Sequence, residues 1–148
     1  MDYKIETKDF SEMLVASFRF KGAYDEVGKY IGMLYKELKD NIAGAPFCLY
    51  YDEGYAKIAD IEVCIPAKWL IYYEKVTSRT LPPIKAISTV HVGSYDTIDK
   101  AYAALSEYAK ANAIETYTPA REIYIKGPGM IFRGNPDKYV TEIVLPIK

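Results

Sequence analysis

Two stretches of this chain are echoed later in the same order, and that constrains its fold more than any other feature. Gly22-Ala23-Tyr24-Asp25 returns as Gly93-Ser94-Tyr95-Asp96. At the same offset Lys29 meets Lys100, Leu34 meets Leu105, Lys39 meets Lys110 and Asn41 meets Asn112. Val27 corresponds to Ile98, Ile31 to Tyr102 and Leu38 to Ala109. Further on, Glu62-Val63-Cys64-Ile65-Pro66-Ala67-Lys68 is matched by Glu142-Ile143-Val144-Leu145-Pro146-Ile147-Lys148. One echo could be chance. Two in order point to a repeated unit whose loops differ in length.

Periodicity supplies the elements. Leu14, Ala16, Phe18 and Phe20 alternate, which predicts a strand over 12–21. Apolar positions 27, 31, 34, 35 and 38 trace one face of a helix over 24–41, with Asn41 and Gly44 at its end. Strands follow at 47–52 and 57–66, separated by the turn residues Asp52-Glu53-Gly54. The second half is expected to start within 72–77 and to break at Leu81-Pro82-Pro83. A strand over 84–92, a helix over 95–111 and strands over 120–126 and 138–146 complete it. The Gly/Pro-rich stretch from Lys126 to Pro136 reads as a hairpin connection. A phosphate-cradling loop is not expected there, because no helix follows it. The expected architecture is α+β: a tandem pseudo-symmetric βαββ repeat, with antiparallel sheets carrying helices on one face and a ligand groove between the halves. It fills one domain, 1–148, with halves about 1–70 and 71–148.

Charge narrows the function. The chain's 148 residues carry a formal net charge of −1 and no long like-charge run. A nucleic-acid partner is therefore not expected through this chain alone, since that needs a basic face. The charged N-terminus lacks a signal-peptide core, and no apolar stretch approaches a membrane span. Two cysteines make no disulfide framework, so a cytoplasmic location is expected. The outlier is tyrosine, at 15 residues. Its flat apolar face and polar tip suit a binding surface, and equally the surface of a sheet.

Sorting strand faces by alternation selects candidate residues. Ile123 and Ile125 are expected under the helices, which turns Glu122 and Tyr124 into the groove. Ile143 and Leu145 likewise turn Glu142 to the groove side, and Ile61, Val63 and Ile65 do the same for Glu62. A carboxylate among rings can neutralise a lipophilic cation or act as a general acid or base. The plainer reading is a solvated or salt-bridged glutamate. His91 is the only histidine and reads as a packed one. Cys48 and Cys64 lack metal-ligand spacing and read as small core fillers. Trp69, between the halves, can wall the groove or pin the linker. No metal site and no cofactor are expected, as no serine elbow, dinucleotide fingerprint or Walker motif occurs.

Three segments carry a family resemblance: His91-Val92-Gly93-Ser94-Tyr95, Pro119-Ala120-Arg121-Glu122-Ile123-Tyr124-Ile125, and Tyr139-Val140-Thr141-Glu142-Ile143-Val144-Leu145-Pro146-Ile147. With them the chain resembles, over nearly its whole length, the GyrI-like effector-binding family. That family includes the ligand-binding domains of multidrug-sensing MerR-type and some AraC-type transcription activators. The resemblance implies a tandem βαββ pair with a central groove, in which a glutamate among tyrosines contacts cationic aromatic drugs. Glu122 stands at that position. Tyr139 resembles a groove tyrosine of the family, whereas alternation puts it on the core side. Tyr95 and Trp69 are further candidate wall residues. Unlike the regulators, this chain shows no helix-turn-helix segment, and the expectation is a stand-alone binding member.

Three functions follow. The first is a non-catalytic module binding small, flat, apolar or cationic xenobiotics. The second, implied by a subfamily that hydrolyses cyclopropane-bearing alkylating agents, is a hydrolase using the same aromatic cage with Glu122 as acid or base. The third is a protein-interaction module of gyrase-inhibitor type, which leaves a protein partner open.

Overall fold

The alternating residues Leu14, Ala16, Phe18 and Phe20 do lie in a strand, β2 (Met13–Gly22), but a shorter one, β1 (Glu6–Phe10), precedes it. The computed structural model describes residues 2–127 and 134–148. After β2 come α1 (Val27–Leu38), β3 (Phe47–Tyr50), β4 (Ala59–Pro66), β5 (Thr77–Leu81), β6 (Ile84–Val92), α2 (Asp99–Ala111), β7 (Ala120–Lys126) and β8 (Val140–Ile147). The second half's first strand begins at Thr77, the last residue of the expected 72–77 start, where it can pair with Met13–Ser17 of β2. Of the connection expected from Lys126 to Pro136, residues 128–133 lie outside the described residues.

Both helices open with a 3-10 turn, Tyr24–Glu26 and Tyr95–Thr97. The two echoed glycines before these turns have different reasons to be there. Gly93 sits at φ 132°, which an L side chain rarely adopts. At Gly22 a Cβ would come 2.1 Å from Glu26 Oε2, which turns back to accept the Ala23 N–H at 2.8 Å.

All strands join one antiparallel sheet in the order β1-β6-β8-β7-β3-β4-β2-β5. The class is α+β as expected, but the expectation of separate sheets is corrected. β3 and β7 pair from Phe47↔Ile123 to Tyr50↔Ala120 and close what would otherwise be two exposed edges. β1 flanks β6 and β5 flanks β2, so each leading strand borders the half of the sheet that does not follow it in the chain.

α1 packs on β2 and β4, and α2 on β6 and β8. Leu34 and Leu38 of α1 share a core with Ile61, Val63 and Ile65; Leu105 and Ala109 of α2 share one with Ile87 and Ile143. The opposite face of the sheet has its own core of Val15, Phe47, Leu49, Cys64 and Leu81. Burial on both faces is why alternation alone could not say which side carries the helices. Among the described residues no helix is long and apolar enough to cross a membrane.

Asn41 fastens the segment between β4 and β5. It is 1% exposed. Its Oδ1 accepts the Lys68 and Trp69 N–H groups at 2.7 and 2.9 Å, and its Nδ2 donates to the Trp69 carbonyl at 2.8 Å. Asn41→Ala strands these backbone groups and is expected to cost about 2–3 kcal/mol in urea denaturation. Its echo Asn112 is exposed and donates to Tyr108 O. There the same change is expected to cost under about 0.5 kcal/mol.

Candidate functional site

The two helices flank the central pair β3–β7 rather than cover it. On the helix-bearing face of this strip sits Glu122, opposite Cys48 of β3 and Ile143 of β8. The sequence expectation for β7 is therefore inverted. Glu122 and Tyr124 share the face of the helices, while Ile123 joins the core of the opposite face and Ile125 is 53% exposed. The apolar isoleucines had a second core to enter, and the ladder shifts register between Tyr124 and Lys126.

Tyr102 reaches down from α2 and donates its hydroxyl proton to Glu122 Oε2. Tyr124 donates to Oε1 at 3.1 Å. A phenol has one proton, so Tyr124 accepts from Tyr50, whose hydroxyl lies 2.7 Å away. Around this relay the rings are continuous. Tyr95 meets Tyr124 edge-on at 5.9 Å and packs on Tyr139 at 5.2 Å. Tyr24 lies 5.8 Å from Tyr50 and 5.6 Å from Tyr55. Tyr24 and Tyr95 reach the surface, at 36% and 37% exposure.

Protein surrounds Glu122, although the residue keeps partial contact with solvent. Burial pushes its pKa above the usual carboxylate range, against hydrogen bonds from the Tyr102 and Tyr124 phenols that favour the charged form. Among the described residues no Lys or Arg forms an ion pair with it. Burial also lifts the Tyr50 and Tyr124 phenols well above their usual value, and lifts the Cys48 thiol to about 12. Cys48 is thus a protonated filler rather than a nucleophile.

The two other candidate carboxylates, Glu62 and Glu142, lie on the opposite face, and each has a cation. Arg79 on β5 donates to Glu62 Oε1 at 2.6 Å, as does the Tyr51 hydroxyl at 2.6 Å. Burial opposes the Glu62 charge, but bonds from Arg79, Ser17 and Tyr51 outweigh it and hold the pKa low. Lys8 on β1 donates to Glu142 Oε2 at 2.7 Å, and Ser88 at 3.0 Å. Glu142 was expected to line the same groove as Glu122. The structure places it across the sheet in a structural ion pair, which corrects that expectation.

Tyr139 is 3% exposed and lies behind Tyr95, within the ring chain. Trp69 is 53% exposed, and its backbone is tied to Asn41 rather than brought to the tyrosines. His91 is buried, bonded to the Tyr3 hydroxyl at 2.8 Å and facing the Ser94 carbonyl at 3.1 Å, a packed histidine. Among the described residues no group of three or more His, Cys, Asp or Glu comes together as a metal site would require. Tyr24, Tyr50 and Tyr102 were not singled out from sequence. The echo that pairs Tyr24 with Tyr95 would have found the first. Tyr102 stands at a helix position whose echo is the apolar Ile31, so its pattern reads as core.

A family model described as the GyrI-like small molecule binding domain matches residues 71–148. No curated protein matches the chain. Among solved structures, the EcmrR C-terminal domain is 25% identical with a TM-score of 0.86, covering 100% of this chain and 99% of that one. The EcmrR chain in its DNA complex is 26% identical with a TM-score of 0.86, covering 99% of this chain. This chain spans only 57% of that one. SAV2435 bound to tetraphenylphosphonium shares the fold at 16% identity and a TM-score of 0.68, covering 100% of this chain and 94% of that one.

Proposed function

The chain belongs to the GyrI-like small molecule binding domain family, and we propose that it binds a bulky or flat aromatic cation over Glu122, in a tyrosine-lined groove between α1 and α2. One observation carries this reading: Glu122 is a carboxylate enclosed by protein and held by phenols alone, whereas Glu62 and Glu142 each have a basic side chain. A desolvated carboxylate without a cation is costly to ionise, and an incoming cation removes that cost. The surrounding rings add cation–π attraction. Tetraphenylphosphonium, the ligand of the fold neighbour SAV2435, is a cation of this class.

In this reading residues 1–148 form one ligand-binding unit of two βαββ halves, about 1–70 and 71–148, related by a pseudo-two-fold axis between Tyr50 and Tyr124. Support comes from equivalences across that axis: Tyr24 with Tyr95, Cys48 with Glu122, and the Glu62–Arg79 pair with Glu142–Lys8.

The test is a thermal-shift titration with tetraphenylphosphonium across a pH series, with neutral triphenylphosphine oxide as comparator. Binding to the native state raises the melting temperature. The cation prefers ionised Glu122, whose folded pKa is raised. Affinity is therefore expected to climb about tenfold per pH unit below that pKa and to level off above it. Equal shifts by the neutral comparator, or an affinity indifferent to pH, would remove Glu122 from the site.

The raised pKa also favours a second reading, a hydrolase of cyclopropane-bearing or similarly reactive xenobiotics in which protonated Glu122 serves as general acid. Turnover separates the two: a hydrolase converts many equivalents of substrate, a binder none.

A further inference from the structure

Arg121 precedes Glu122 on β7 and therefore lies on the opposite face of the sheet, beside Leu49 and Val144 in the ladder. It is 4% exposed, and its Nε has no hydrogen-bond partner. Among the described residues no carboxylate forms an ion pair with it, whereas Arg19, Arg79 and Lys8 are paired at 2.8, 2.6 and 2.7 Å. Its neighbours are rings: the guanidinium carbon lies 5.2 Å from the Phe47 centroid and 5.6 Å from that of Phe10. Cation–π contacts of this kind offset only part of the cost of burying a charge. The side chain lines a cavity of about 390 Å³ whose other walls include Met13, Leu14, Pro66 and Ile123. One further charged residue, Glu12, also lines it and is exposed.

We propose that this cavity is a second binding site, distinct from the tyrosine cluster, for a small organic carboxylate with an apolar body. The guanidinium fork matches a carboxylate, which would give the buried cation the anion it lacks. The apolar walls take the rest of the molecule. Phosphate and sulfate fit less well, because apart from Arg121 the lining side chains are apolar or acidic and leave their remaining oxygens without side-chain donors.

The test uses benzoate as probe on the whole chain, with benzamide as its neutral isostere and sulfate at matched ionic strength, read by thermal shift. Benzoate is expected to raise the melting temperature in a saturable way, and benzamide and sulfate to leave it in place. Arg121→Met is expected to weaken benzoate roughly tenfold or more, the effect of losing a charge-assisted hydrogen bond. Arg121→Lys is expected to retain part of the affinity. The proposal is overturned if benzamide or sulfate matches benzoate, if benzoate produces no shift, or if Arg121→Met binds it as the parent does. Should Arg121→Met fail to fold, the benzoate and benzamide comparison on the unaltered chain decides alone.

Discussion

Glu122→Gln is expected to weaken tetraphenylphosphonium by about thirtyfold or more while raising the protein's melting temperature at neutral pH. The first effect is the loss of a desolvated charge partner, about 2–5 kcal/mol when one member of such a pair is removed. The second follows from burial, which raises the Glu122 pKa in the folded protein. In the unfolded chain the group titrates at the ordinary carboxylate value. Between those two values the folded state holds a proton that the unfolded state has released. Stability contributed by that proton is present at low pH and is lost as pH rises through the folded pKa. Glutamine carries no such cost, and its carbonyl oxygen still accepts from Tyr102 or Tyr124. The melting-temperature gap between variant and parent should therefore widen with rising pH and close in acid. A variant that loses both binding and stability would mean that the carboxylate serves the fold.

Phe47→Ala is expected to destabilise the protein by about 3–5 kcal/mol, the range for emptying a buried aromatic site. Phe47 is 1% exposed, faces Cys64 on one side and Ile123 on the other, and packs with Val15, Leu49 and Leu81. It stands on the β3–β7 ladder, which alone joins the centre of the sheet. It also carries the Arg121 guanidinium on its face. Tyr55→Ala, at a side chain 83% exposed, is the control, with an expected change within about 0.5 kcal/mol. Urea denaturation of both variants checks the pair. A loss at Phe47 no larger than at Tyr55 would mean that the opposite-face core contributes little.

Local pattern made much of this fold legible. The alternation in β2, the helical stripe of α1 and the apolar runs of β4, β6 and β8 each report an interaction between a side chain and a core beside it. The leading strands were not legible in that way. Glu6-Thr7-Lys8-Asp9-Phe10 and Thr77-Ser78-Arg79-Thr80-Leu81 are mostly polar, and their strand form depends on partners distant in the chain. With them were hidden two further echoes, Lys8 with Arg79 and Ser17 with Ser88, whose role is to hold Glu142 and Glu62. At β7 the pattern misled, because Ile123 and Glu122 alternate between two faces that are both buried. A rule that sends apolar residues toward helices then has no power to choose.

The exchange of leading strands gives the two ends of the chain a shared fate. β1 borders β6 although it is continuous with β2, and β5 borders β2 although it is continuous with β6. Cleaving the backbone between β4 and β5 would not yield two tidy modules. Each fragment would keep an arm that belongs on the other and lack the arm its own sheet requires. The two fragments could complete the sheet only by interlacing, each lending its first strand to the other. Covalent linkage of the halves makes that mutual loan intramolecular, so neither half has to find the other by diffusion.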